Sequence, residues 1–122
     1  MMRWRAATVL GLALLLSAPV GVHAHAFLDR ADPRVGSTVK TPPTRVRLWF
    51  TQRLEAAFCT VQVLNEAGQQ VDRKDMRPEA ANPALLVVSL PALGPGRYTV
   101  LWRVLSVDSH VTNGDFTFRV AP

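Results

Sequence analysis

The chain has 122 residues, a formal net charge of +5 and a single cysteine. One thiol excludes an internal disulfide framework, and the length leaves room for one domain and no second. The basic residues are scattered, many on alternating positions such as Arg45, Arg47, Arg97 and Arg103, and are not gathered with aromatics on one face, which argues against a nucleic-acid binder and leaves a solvated surface with at most a mild attraction to anionic lipid.

Residues 1–24 read as a secretory signal. Arg3 and Arg5 open it, residues 9–16 form an apolar run, Ser17-Ala18-Pro19 breaks that run, and Val22-His23-Ala24 supplies the small residues of a cleavage site. The run is shorter than the roughly 20 residues needed to cross a bilayer, so cleavage after Ala24 is expected in preference to a retained anchor. The remainder, residues 25–122, starts His25-Ala26-Phe27-Leu28 and carries a net +3 once Arg3 and Arg5 are gone. A domain of that size buries about 60 to 70 per cent of its unfolded surface and folds without a disulfide or structural metal.

Short β-like runs follow, at residues 25–28, 45–51, 58–64, 70–71, 85–90, 96–105 and 115–120, separated by Pro, Gly, Asn and Asp. This spacing predicts an all-β sandwich. Val46, Leu48 and Phe50 alternate with Arg45, Arg47 and Trp49; Tyr98, Val100 and Trp102 with Thr99, Leu101 and Arg103; Phe116, Phe118 and Val120 with Thr117 and Arg119. Each run therefore has one face able to cover a shared core. Asn65-Glu66-Ala67-Gly68 suits a hairpin with Gly68 at positive φ, while Pro42-Pro43, Pro91 and Gly94-Pro95-Gly96 interrupt strands. Residues 75–81 have room for one helical turn. Alternation puts Cys59 on the face of Val61 and Val63, as a small buried hydrophobe.

After the cut only two histidines remain, His25 and His110. As the first residue, His25 offers both its α-amine and its imidazole Nδ1 to one metal ion. An α-amino group ionises near pH 7.7 to 8, within reach of displacement by a Lewis-acidic metal. Asp108 stands two positions before His110 in Ser106-Val107-Asp108-Ser109-His110-Val111, and in an extended segment such positions share a face. Three nitrogens and one carboxylate oxygen suit tetragonal Cu(II), which the Irving–Williams order places above its divalent competitors. Read singly, a first-residue histidine is accidental and Asp-x-His is a loop whose carboxylate caps a turn. Nothing in composition alone brings residue 25 to residue 110. Trp49, Trp102 and the phenylalanines read as packing, and Asp115 as either an acceptor orienting a ligand imidazole or a strand-start residue.

His25-Ala26-Phe27-Leu28 after a signal, Ala31-Asp32-Pro33 with Gly36, Val46-Arg47-Leu48-Trp49-Phe50, Gly96-Arg97-Tyr98-Thr99-Val100 and the stretch from Ser106-Val107-Asp108-Ser109-His110 through Thr112-Asn113-Gly114-Asp115-Phe116-Thr117-Phe118 together resemble the CopC family of periplasmic copper resistance proteins. The resemblance covers the chain beyond the signal. It implies a seven-stranded Greek-key β-sandwich of immunoglobulin or cupredoxin type, with the amino terminus beside the loop before the last strand. It further implies one Cu(II) per chain held by His25, through amine and imidazole, with Asp108 and His110. Asn113 and Gly114 match the turn that follows those ligands. Some family members add a methionine-rich Cu(I) segment, which soft thioethers would supply. Here residues 25–122 hold only Met76, so no Cu(I) site is expected.

The resemblance thus points to a periplasmic, monomeric binding module without turnover, for copper tolerance, sequestration or delivery, cooperating with an inner-membrane copper transporter of the CopD type. Two alternatives stand beside it. One is a secreted copper or zinc enzyme: copper oxygenases that cleave polysaccharides also carry a terminal histidine chelate but on longer chains, and a zinc hydrolase needs a general base that no further residue evidently supplies. The other is an immunoglobulin-like assembly domain with incidental histidines.

Overall fold

A computed structural model describes residues 25–122; the predicted signal and its cut after Ala24 lie outside the described residues. Among those described are eight strands: β1 (Leu28–Asp32), β2 (Thr38–Val39), β3 (Arg45–Phe50), β4 (Thr60–Leu64), β5 (Arg77–Glu79), β6 (Asn82–Ser89), β7 (Gly96–Leu105) and β8 (Val111–Val120). A 3-10 turn at Ala56–Phe58 lies between β3 and β4. The strands form two four-stranded sheets, in the orders β1-β3-β6-β5 and β2-β8-β7-β4.

The core follows from alternation. Val46, Leu48 and Phe50 of β3 are buried, together with Val61 and Val63 of β4, Leu86 and Val88 of β6, Tyr98, Val100 and Val104 of β7, and Phe116, Phe118 and Val120 of β8. Removing each such side chain from water is worth about 1.5–3 kcal/mol before chain entropy is charged against it. Tyr98 stacks on its cross-strand neighbour Phe118 with ring centroids 5.5 Å apart, and its hydroxyl donates to the Gly94 carbonyl at 2.7 Å. Phe50 of the first sheet meets Trp102 of the second edge-on at 5.2 Å. Gly68 has φ 76°, as the hairpin required, and Cys59 is buried beside Val61 and Val63.

The expected count of seven strands gives way to eight, and several boundaries move. The first strand starts at Leu28 and not at His25, because residues 25–27 are held by side-chain hydroxyls more than by a ladder. Residues 70–71 make only a bridge, Leu64 to Gln70. In place of a helical turn in residues 75–81 stands β5: the Asp75 carboxylate accepts the Ser89 backbone N–H at 2.8 Å, drawing the segment alongside β6, and Pro78 is tolerated because β5 is an edge strand. The last strand begins at Val111, four residues before the expected start, so Asn113 and Gly114 lie within β8 opposite Arg103 and Trp102 and not in a turn.

Candidate metal centre

The two ends of the predicted site are brought together by the segment that leaves β3. Thr51 Oγ1 accepts the Phe27 N–H at 3.0 Å and donates to the His25 carbonyl at 3.3 Å, while the Thr51 N–H donates to the Phe27 carbonyl at 2.9 Å. Four residues on, the Glu55 N–H donates to Leu105 O at 2.9 Å, the Arg53 carbonyl accepts Val107 N–H at 3.0 Å, and Leu54 bridges to Ser106. Residues 51–55 thus hold residues 25–27 on one side and the approach to the β7–β8 loop on the other. From β8, Thr112 Oγ1 donates to the Ala26 carbonyl at 2.6 Å, across 86 positions of sequence. Ala26 itself is fully buried, which seats His25 at a fixed place at the end of the sandwich.

Residues 106–110 join β7 to β8 and carry Asp108 and His110. Ser109 N–H donates to Ser106 O, and Ser106 N–H donates to His110 O, both at 2.9 Å. Ser109 adopts φ 70°, the left-handed conformation that lets a short loop reverse. Asp108 and His110 therefore approach each other through a turn and not, as the extended i, i+2 reading supposed, across one strand face.

The resulting geometry is compact. The His25 and His110 rings lie 4.7 Å apart between centroids, nearly perpendicular at 85°. His110 Nδ1 is 3.2 Å from Asp108 Oδ1, and that oxygen also receives a very short contact from the Ser106 hydroxyl. The Ser106 hydrogen bond, and then His110, hold the Asp108 carboxyl below the usual carboxylate range, so it is charged at neutral pH. Among the described residues no three His, Cys, Asp or Glu side chains surround one point; the site is two imidazoles with a carboxylate against one of them. In the uncut chain the α-nitrogen of residue 25 is a peptide nitrogen, which is not a basic donor.

Asp115 is exposed within β8, opposite Leu101 of β7, and lines a shallow groove of about 340 Å³ with Thr60, Gln62 and Arg103. Cys59 is a structural thiol, donating to the Glu55 carbonyl at 3.3 Å; burial pushes its pKa up. Met76 packs against the core. Trp49 is covered by the Arg30 guanidinium, 3.9 Å from its ring, and Trp102 lies over Gly114.

Sequence reasoning missed Thr51, Ser106 and Thr112. Thr51 and Thr112 are ordinary polar residues whose partners lie 24 to 86 positions away, and no local pattern marks them. Ser106 was legible only as part of the loop motif.

The CopC domain description matches residues 28–121. The chain is 32% identical to Protein YobA of Escherichia coli over 112 residues, 89% of this chain and 90% of that one. It is 30% identical to Copper resistance protein C of Pseudomonas syringae pv. tomato over 120 residues, 93% of this chain and 92% of that one. The crystal structure of CopC from Methylosinus trichosporium OB3b superposes with a TM-score of 0.75 at 34% identity, over 80% of this chain and 95% of that chain. With a two-sheet fold that superposes on a CopC structure and a family match over nearly all the described residues, the chain belongs to the CopC domain family.

Proposed function

We propose that this protein, cut after Ala24 and acting in the periplasm, captures one Cu(II) ion for tolerance, sequestration or delivery, without catalytic turnover. The observation that carries the reading is the meeting of His25 with His110 at 4.7 Å, with Asp108 beside His110. Cutting at Ala24 converts the peptide nitrogen of residue 25 into an amine, so His25 then contributes two nitrogens, His110 a third and Asp108 an oxygen. Such a set matches the tetragonal preference of Cu(II), and a charged carboxylate favours the oxidised ion. The name of the Pseudomonas relative, a copper resistance protein, supports the same cargo. An inner-membrane copper transporter of the CopD type is the partner this reading implies.

The test is a Cu(II) titration of residues 25–122 beside the same chain with one extra residue ahead of His25. The shorter form should bind one equivalent with nitrogen couplings in its spin-resonance spectrum, and the extended form should bind far more weakly with fewer of them. Equal affinity and identical spectra would remove the amine from the ligand set.

A further inference from the structure

At the end of the sandwich away from the metal centre, we infer that Arg97 and Arg119 form, with Thr38 and Thr117, a binding site for a phosphate-type oxyanion.

Arg97 of β7 stands directly opposite Arg119 of β8, and Arg119 in turn stands beside Thr38 of β2. The three residues make one row across neighbouring strands. They lie on the outer face of the second sheet, since Tyr98, Phe118 and Val120 occupy the inner one. Thr117, two positions before Arg119, shares that outer face. All four residues line one pocket of about 160 Å³, together with Gly36 and Ser37.

The row is unfavourable as it stands. Residues directly opposite in an antiparallel pair have Cβ atoms about 4.5–5.5 Å apart, and like charges there repel. Neither guanidinium has an ion pair or side-chain hydrogen bond among the described residues. The Glu66 carboxylate beside Arg97 is turned to the Arg97 backbone N–H, which it accepts at 2.8 Å, and forms no ion pair with the side chain. Arg34, bonded through its carbonyl to Ser37, and Lys40, directly after β2, add positive charge to the same end.

Ser37 Oγ donates to the Arg34 carbonyl at 2.7 Å, which removes it from the donor set, but the Thr38 and Thr117 hydroxyls have no partner among the described residues. Two guanidinium forks and two hydroxyls thus border one pocket that offers donors in excess. A tetrahedral oxyanion brings several acceptor oxygens and negative charge, and guanidinium groups engage such oxygens in paired, charge-assisted bonds. Chloride is a single acceptor centre and does not match two forks in this way. The pocket lies roughly 25 Å along β7 from the loop that carries Asp108 and His110, at about 3.3 Å per residue, so an anion there leaves the metal centre uncovered. Dissolved phosphate and the headgroup of an anionic phospholipid present the same chemistry.

Titration of residues 25–122 with inorganic phosphate, followed by nitrogen-15 NMR against sodium chloride at equal ionic strength, tests the site. Phosphate should shift the amides of Thr38, Arg97, Thr117 and Arg119 saturably, and Arg119→Gln should weaken its binding about 10-fold, as the loss of one charge-assisted contact requires. Thermal unfolding adds a readout that a merely structural arginine would not give. In phosphate-free buffer at low salt, Arg119→Gln should melt at or above the native temperature, because the repulsion is gone; saturating phosphate should raise the native midpoint and leave that of the variant nearly fixed. Sedimentation with vesicles of phosphatidylglycerol and phosphatidylcholine, beside phosphatidylcholine alone, separates the two sources. Native protein that pellets with the anionic vesicles, and loses this in Arg119→Gln, takes the lipid headgroup; native protein that stays in solution, or pellets no better than the variant, takes dissolved phosphate. The site is overturned by the lack of a saturable phosphate shift, by equal shifts with chloride, by shifts spread evenly over the arginines, or by an Arg97→Gln, Arg119→Gln double variant that titrates as the native protein does.

Discussion

Gly114 shows how a single missing carbon shapes the region beside the site. It pairs with Trp102 across β7 and β8, and a Cβ built on it would fall 2.5 Å from Trp102 Cζ2 and 2.9 Å from Cε2. A rigid, half-buried indole has little freedom to retreat, because Phe50 meets it edge-on from the opposite sheet. Gly114→Ala should therefore destabilise the fold by about 1–3 kcal/mol, the usual cost of overpacking, read as a lower midpoint in thermal or urea unfolding. A wild-type midpoint would mean that the indole moves freely. The motif containing Gly114 stood out in the sequence, yet its reason did not: a glycine among Thr, Asn and Asp reads as a turn, and only the cross-strand partner reveals it as a seat for a ring. His25, Asp108 and His110 could be singled out as candidates because few residue types bind metals and only two histidines follow the predicted signal. The threonines and the serine that hold them were not, since hydroxyl side chains occur throughout such chains and their partners are set by the fold.

At the scale of elements, the strand before β4 and the β7–β8 hairpin are linked through residues 51–55, and β8 reaches back to Ala26. The Thr112 to Ala26 bond is the contact between β8 and the amino-terminal segment that this arrangement depends on. Thr112→Val keeps the shape but leaves a buried carbonyl without its donor, at a cost of about 1–3 kcal/mol. The expected outcome is faster amide exchange at Phe27 together with weaker Cu(II) binding, with the β4–β7 amides unchanged. Exchange that stays slow at Phe27 would show that Thr51 suffices alone. The long strands β3, β4 and β7 were readable because alternation over five or more residues is a strong signal. The two-residue β2 and three-residue β5 are too short to carry a period; each exists because a long neighbour offers it a ladder. The start of β8 was hidden for another reason: its first residues include polar Thr112, Asn113 and Asp115 around Gly114, and polarity masked a pairing that β7 imposes.

For the molecule as a whole, the depressed carboxyls set how it responds to acid. Asp75, held down chiefly by hydrogen bonds from Ser89, and Asp108, held down chiefly by Ser106, both ionise more readily in the folded state than in the unfolded chain. Their contribution is therefore fully present above the ordinary aspartate range, near pH 3.9, and disappears as pH falls through their lower folded values. Both groups are exposed, so the effect is modest. The unfolding midpoint of the metal-free protein should decline below about pH 4, and the decline should flatten in an Asp75→Asn, Asp108→Asn double variant; identical slopes would mean that neither bond survives in solution.

The seating of Ala26 has one more consequence. A residue with no exposed surface, its carbonyl clamped by Thr112, stands directly behind the residue whose nitrogen the cut would liberate, so the chain has no slack there. A peptidase choosing the bond one step earlier would leave the imidazole in second place behind a stray amine, and one step later would discard the imidazole altogether. On the proposed reading, maturation and metal capture share a tolerance of a single peptide unit, and molecules cut one residue early would bind copper far more weakly.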